Sequence, residues 1–153
     1  MLPARIVAWR SFRGEHPHGL VLSRETGYSR PYGENPYTGY DDVSSPAFFP
    51  AAHADDRRLP PKERVVFLER DGAAVAFPFS TLAKRREVEI TLAGHRLEVK
   101  WQGGVSSALD TSEIAAGRDI GAAQVFERGR PVPFSEPFWF AVAAFRPDTR
   151  IIR

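Results

Sequence analysis

The sequence predicts a mainly β fold of the β-rich α+β class, with antiparallel hairpins in a sandwich or barrel-like sheet, two or three short helices and one long ordered loop. Residues 64–79 carry apolar segments on both sides of an Asp-Gly turn, and residues 86–102 alternate apolar and polar residues around a glycine-containing turn, both of which are typical of a β-hairpin. Between residues 24 and 63 this periodicity disappears while Gly, Pro, Asn and aromatic residues stay frequent, which favours an ordered loop. Strands and helices do not alternate at the length that a parallel α/β sheet requires.

The composition predicts one soluble globular domain that spans residues 1–153. Hydrophobic residues make up 42% of the chain and aromatic residues 12%, which is typical of a protein with a core. The absence of cysteine excludes disulfides, thiolate catalysis and cysteine-ligated metals. The net charge is +2 and acidic residues separate the basic ones, which argues against nucleic-acid binding. The sequence contains neither a membrane-spanning apolar run nor a signal-peptide pattern, and localisation stays open.

The N-terminal part predicts two short strands around one short helix. Apolar residues at 5–9 and 19–23 favour the strands. Between them, "WRSFRGEHP" favours a helix that Ser11 caps and that Gly14 or Pro17 ends.

The predicted loop, residues 24–63, contains all four tyrosines of the chain within "GYSRPYGENPYTGYDD" (27–42). A loop of this length in a compact domain is typically functional or disordered, and its aromatic residues argue against disorder. Two interpretations remain open at this point. The rings form a binding surface, since tyrosine offers a rigid ring with a polar tip, or they pack within the loop and cover part of a sheet.

Two hairpins are predicted to form the centre of the domain, residues 64–102. In the first, an Asp71-Gly72 turn pairs Val66 with Phe77 and Leu68 with Val75, so that these apolar residues share one face. In the second, a Gly94-His95 turn pairs Ile90 with Val99, Val88 with Trp101 and Glu89 with Lys100. A single helical turn, "STLAKRR" (80–86), connects them, with Ser80 as its cap and cations at its C-terminal end.

The C-terminal region, residues 135–153, predicts an apolar helix and a strand. "EPFWFAVAAFRPD" is apolar on nearly all sides and rich in alanine, which favours a buried helix that Ser135 or Glu136 caps and that Pro147 ends. Before it, "VSSALD" and "AAQVFERGRPVPF" favour strands, with a turn at 128–130.

An internal similarity relates the two ends of the chain. "WRSFRGEHPHGLVL" (9–22) aligns with "WFAVAAFRPDTRII" (139–152) at an offset of 130 residues, and the Trp, the Pro and the final apolar pair match. Both segments predict a helix, a proline stop and a strand, which suggests a pseudo-symmetric arrangement.

The candidate ligand-binding residues lie in the tyrosine segment and are Tyr28, Tyr32, Asn35, Tyr37, Tyr40, Asp41 and Asp42. Their hydroxyl, amide and carboxylate groups would converge on an aromatic surface. Asp41 and Asp42, together with His53, are also candidate metal ligands, although their spacing matches no known metal-binding loop. No catalytic residue and no cofactor are predicted, because the sequence has no nucleophile elbow and no phosphate-binding glycine loop.

Five segments resemble a known family: "VLSRETGYSRPYGENPYTGYDD", "RLPPKERVV", "DGAAVAFPFSTL", "SSALD" and "FWFAVAAFRPDT". With them the chain closely resembles the uncharacterised prokaryotic domain-of-unknown-function family 3179 over nearly its whole length. Fuller members carry an extra N-terminal half with a "CPLC"-type motif, and "WQGGVSSALD" stands where such a motif would fall, so the chain resembles a short member without it. The resemblance implies no activity, and it implies an extracytoplasmic setting because exported members are common.

Three hypotheses for function follow. The first is a non-catalytic binding or assembly domain that uses the tyrosine-rich loop to bind a protein partner or another copy of itself. The second is a metal- or carboxylate-dependent enzyme with a site near Asp41, Asp42 and His53. The third is a structural subunit of a homo-oligomer or larger complex. The lack of a catalytic motif favours a binding role over an enzyme.

Overall fold

The computed structural model describes residues 6–153, and these form a β-rich α+β fold as predicted. In chain order the elements are α1 (Trp9–Glu15), β1 (Val65–Arg70), β2 (Ala73–Pro78), α2 (Phe79–Arg85), β3 (Glu87–Leu92), β4 (His95–Gln102), β5 (Ala122–Glu127), β6 (Arg130–Pro131), α3 (Trp139–Phe145) and β7 (Arg150–Ile151). A short 3-10 helix, Ile114–Ala116, precedes β5. None of the helices in residues 6–153 is long and apolar enough to cross a lipid bilayer.

The strands form two open sheets, with the orders β1-β2-β7 and β3-β4-β5-β6. Apolar side chains of both sheets and of α2 share one core, with Val66, Phe77 and Val99 fully buried in it. On the opposite face of the three-stranded sheet, α3 packs through Trp139 and Val142. The arrangement therefore has three layers, which agrees with the sandwich alternative rather than with a barrel. Because β2 is covered on both faces, its sequence is a continuous apolar run.

The first hairpin has the predicted turn and register. Asp71 and Gly72 both have positive φ, 46° and 80°, which is the backbone of a tight turn that matches the twist of the two strands. Val66 pairs with Phe77 and Leu68 pairs with Val75. The Asp-Gly turn alone specifies this register, because β2 is a continuous apolar run without alternation.

The predicted register of the second hairpin is wrong by two residues. The turn lies at Ala93-Gly94, with φ of 47° and 83°, and not at Gly94-His95. The observed pairs are Ile90 with Leu97, Val88 with Val99 and Glu89 with Glu98. A shift of two residues keeps every side chain on the same face, so the alternation alone leaves this choice open, and the position of the turn decides it.

The predicted helices α2 and α3 are present, but the predicted caps Ser80, Ser135 and Glu136 are wrong. Neither helix has a side-chain cap from its own N-cap residue, Pro78 or Phe138. Instead, residues 61–63 cap both: the Ser80 N–H donates to Glu63 Oε1 at 2.8 Å, and the N–H groups of Trp139 and Phe140 donate to the carbonyls of Glu63 and Pro61, each at 2.8 Å. The first-turn N–H groups thus find partners in the tertiary structure.

The N-terminal part keeps its predicted helix and lacks its predicted strands. Helix α1 is present, although its N-cap is Ala8 and not Ser11. Residues 6–8 of the expected strand 5–9 have no regular structure, and Arg5 lies outside the described residues. Residues 19–23 pair with no strand of the described residues and have no regular structure, and Leu20 and Leu22 are 95% and 96% exposed.

The internal similarity is reproduced in its helical half. Helices α1 and α3 occupy equivalent positions, 130 residues apart. Only the second copy continues into a strand, since β7 pairs in parallel with β2. The expected strand in "VSSALD" is also absent, because that segment forms a single bridge, Ser106 with Asp119, whereas the strands β5 and β6 are present as predicted.

Candidate functional site

The tyrosine loop, residues 24–63, is ordered by bonds to the segment that precedes β5. The N–H groups of Asn35 and Gly39 donate to the carbonyls of Ser112 and Asp110, both at 2.7 Å. The Asn35 amide nitrogen donates to Thr111 O at 3.0 Å, and its oxygen accepts from the Tyr37 N–H at 2.8 Å. Asn35 is only 6% exposed. Its side chain therefore holds the loop in place through both of its polar atoms.

Asp41 is a buried anchor in the middle of this loop. Its side chain is 2% exposed, and Oδ2 accepts a hydrogen bond from the Ser107 hydroxyl. Arg118 Nη2 donates to the Asp41 carbonyl at 2.7 Å and lies 3.1 Å from Oδ1, while Arg118 Nη1 lies 2.6 Å from Asp110. Oδ1 itself receives no hydrogen bond. Asp42, one residue later, is exposed and binds Ser44, which lowers its pKa.

A buried lysine connects the end of the loop to its centre. Lys62 is 2% exposed. Its Nζ donates to the Tyr40 carbonyl at 2.5 Å and lies 4.2 Å from the centre of the Tyr40 ring and 4.9 Å from that of Phe48. Its backbone N–H also donates to Val43 O at 3.1 Å. The carbonyl and the two ring faces stabilise the buried ammonium by hydrogen-bond and cation–π interactions.

An aromatic cluster lies where the loop contacts the C-terminal segment, and we call it the aromatic patch: Tyr37, Tyr40, Phe48, Phe49, Phe138 and Phe140. Tyr40 joins the loop rings to Phe138, with centroid distances of 4.9 Å to Phe48 and 5.9 Å to Phe138. Phe138 stacks on Phe140, which contacts Phe49 at 6.0 Å. The outer rings are open to solvent: Tyr37 is 62% exposed, Phe48 75% and Phe49 58%.

The other two tyrosines lie apart from this cluster. Tyr28 is exposed, with the Arg30 guanidinium 6.0 Å from its ring. Tyr32 is partly exposed, and its hydroxyl lies 3.0 Å from Thr26 Oγ1. Of the two interpretations of the loop, Tyr40 matches the packed one and Tyr37 the exposed one.

The structure does not bring Asp41, Asp42 and His53 together as a group of metal ligands. Within residues 6–153, the carboxylates close enough to share an ion are Glu87, Glu89 and Glu98. This acidic group is exposed and is neutralised by Arg96 and Lys100, which form ion pairs of 2.6 and 3.0 Å. His53 lies on an exposed turn with φ of 55°. A metal site near Asp41 thus remains a prediction from the sequence.

Beneath the aromatic patch, a cavity of about 240 Å³ separates the loop from the two sheets. We call it the junction cavity. The side formed by the loop is lined by Asp41, Val43 and Lys62, and the side formed by the sheets and α2 by Trp101, Phe79 and Ile120. The remaining wall includes Glu63, Arg64, Arg118, Asp119 and Phe138. A larger cleft of about 880 Å³ between α1 and residues 102–104 has only exposed or half-exposed lining residues.

Most of the charged groups that line the junction cavity have partners. Asp119 accepts from the N–H groups of Gly104, Val105 and Gly121, and these bonds, that of Gly104 first, lower its pKa. Glu63 caps α2, as described above. Arg118 and Lys62 are bound as described above.

Arg64 is the exception among these groups. Its guanidinium lies 5.1 Å from the centre of the Phe138 ring and has no hydrogen bond or ion pair within the described residues. Burial lowers the pKa of Arg64, while the carboxylates of Glu136 and Asp41 oppose that effect. Burial also raises the pKa of Glu136, while Arg64 opposes that effect.

The sequence analysis missed Lys62, Arg64, Arg118 and Trp101 as site residues. A signal for the first two exists in "LPPKERVVFL", where three charged residues follow a rigid Pro-Pro pair and directly precede the apolar first half of a strand. Charges at such a boundary are placed at the edge of a core. Nothing in the local sequence marks Arg118, because it meets Asp41 across 77 residues.

The comparisons with known proteins give a family and nothing further. The family described as "Protein of unknown function (DUF3179)" matches residues 1–149. Searches of curated proteins and of solved structures find no match to the chain.

Proposed function

The chain belongs to the DUF3179 family, whose description states no activity, and we propose that this member is a non-catalytic assembly domain that binds a second copy of itself through the aromatic patch. One observation carries the proposal: three rings of one connected cluster, Tyr37, Phe48 and Phe49, are each more than half exposed. Monomeric proteins rarely expose large contiguous apolar patches, and aromatic residues are enriched in the centres of interfaces.

The chemistry of the patch favours a second copy as the partner. In a two-fold interface the same surface occurs on both sides, so it must be complementary to itself. An aromatic surface meets this condition, because rings can pack against identical rings and need no oppositely charged partner. Tyr37 and Phe48 contact Tyr40, and Phe49 contacts Phe140. Both inner rings are already packed on Phe138, at 5.9 and 6.1 Å, so association orders few additional side chains.

Sedimentation velocity over a range of protein concentrations tests this proposal. We expect the wild-type chain to form dimers at micromolar concentration and the Phe48→Ser/Phe49→Ser double variant to dimerise at least about tenfold more weakly, because central aromatic residues dominate interface energy. Phe145→Ser is the matched control, since Phe145 is 84% exposed on α3 but contacts no ring of the patch. A wild-type chain that stays monomeric throughout, or a double variant that dimerises like the wild type, would contradict the proposal.

A further inference from the structure

The junction cavity has the size and the walls of a site for a small organic molecule. Its volume of about 240 Å³ is slightly below the range of about 300–1,000 Å³ that holds drug-sized ligands. Apolar side chains, among them Val43, Phe79 and Ile120, form part of the wall. Six charged residues also line it, and because most of them are bound to other parts of the chain, few polar groups are left to orient a ligand.

One cation that lines the cavity, Arg64, has no hydrogen bond or ion pair to its guanidinium within the described residues. A half-buried guanidinium with five N–H donors costs free energy when it is desolvated without acceptors. For Arg64 the described residues supply the Phe138 ring, 5.1 Å away, and the carboxylates of Glu136 and Asp41 beyond ion-pair distance. A carboxylate fits this deficit best, because its two oxygens match the guanidinium fork.

Two residues that line the cavity, Asp41 and Trp101, each carry a fully buried polar atom without a hydrogen bond within the described residues. One is the acceptor Asp41 Oδ1, on a side chain that is 98% buried, and the other is the donor Trp101 Nε1. Arg118 neutralises the Asp41 carboxylate from 3.1 Å but does not hydrogen-bond Oδ1. Such atoms are rare in folded proteins and indicate an absent partner. A ligand that fills both roles has a hydrogen-bond donor close to its anionic group.

We propose that the junction cavity binds a small carboxylate that also bears a hydroxyl or amino group. Arg64 holds the carboxylate, Asp41 Oδ1 accepts from the hydroxyl or amino donor, and Trp101 Nε1 donates to the ligand. The inference is independent of self-association, because the exposed rings of the aromatic patch do not line the cavity.

Four compounds with one branched skeleton test the inference: 2-hydroxyisovalerate and valine carry both groups, isovalerate lacks the donor, and valinamide lacks the carboxylate. The indole N–H resonance of Trp101, assigned by its loss in Trp101→Phe, reports binding by NMR titration. The resonance of Trp139, which is 1% exposed in another part of the core, serves as the internal reference. We expect 2-hydroxyisovalerate or valine to shift the Trp101 signal at millimolar concentration, and isovalerate and valinamide to shift it about tenfold more weakly.

Variants assign the residues. Arg64→Met should weaken binding at least about tenfold, while Arg96→Met, which removes an exposed arginine on β4, should leave it unchanged. An unaltered Trp139 signal shows that each variant is folded. The inference is overturned if none of the four compounds moves the Trp101 signal, if isovalerate or valinamide binds as well as the others, or if Arg64→Met binds like the wild type.

Discussion

Replacing Asp41 with alanine removes the carboxylate that joins the tyrosine loop to the segment before β5. The Ser107 hydroxyl, which is fully buried, loses its acceptor, and Arg118 loses one of its two carboxylate partners. The bond from Arg118 to the Asp41 carbonyl remains, since it involves the backbone. The loss is therefore confined to the side chain.

The magnitude follows from these two contacts. A hydrogen bond to a buried carboxylate contributes about 1.5–3 kcal/mol. The ion pair adds at most about 1 kcal/mol, because the Arg118 side chain is 42% exposed and water screens it. Together they predict that Asp41→Ala lowers the free energy of unfolding by about 2–4 kcal/mol.

Urea denaturation followed by tryptophan fluorescence measures this difference. The expected loss moves the midpoint by about 1–2 M for a chain of this size. Asp42→Ala is the matched control, because the neighbouring Asp42 is exposed and binds only Ser44, so its removal should cost about 0.5 kcal/mol or less. Equal midpoints for the two variants would refute the assignment of Asp41 as the anchor of the loop.

Two further measurements probe the four-stranded sheet around β4 and β5. Gly121→Ala places a Cβ against the Trp101 ring at a φ of 69° and should destabilise the fold by about 2–4 kcal/mol. The control Gly72→Ala, at a φ of 80° but with open space around it, should destabilise the fold by about 1 kcal/mol. Comparable losses for the two variants would argue against the close Trp101 contact. Hydrogen bonds, chiefly the one to Glu127, raise the pKa of His95 above 6.5. The stability that this pair contributes is therefore present at acidic pH and is lost as pH rises through the folded-state pKa. His95→Gln should flatten that part of the stability–pH profile, and an unchanged profile would refute this assignment.

Local signals in the sequence were sufficient for the elements that depend on near neighbours. The Asp71-Gly72 turn between two apolar segments fixes the first hairpin. In the second hairpin two turn positions satisfy the same alternation, and the observed one places Gly94 second in the turn, after Ala93 with its φ of 47°. Residues 19–23 have the composition of a strand, but a strand forms only where another strand accepts its hydrogen bonds.

The candidate site depends on contacts that the sequence does not encode locally. The loop, its order and its aromatic character follow from composition. Which rings are covered depends on Phe138, which meets Tyr40 only after the chain has passed through both sheets. The predicted helix caps were wrong for the same reason, since the N–H groups of Ser80 and Trp139 donate to residue 63. Such pairings are properties of the folded chain and not of a sequence window.

The late arrival of β7 affects how this protein forms in the cell. Strand β2 leaves the ribosome well before Arg150 and Ile151, which pair with Val75 and Ala76. During synthesis the open edge of β2 and the apolar surface later covered by α3 are both exposed, and such intermediates are prone to aggregate or to require a chaperone. Completion of the three-stranded sheet is thus a long-range closure step, and a slow phase of folding is expected there.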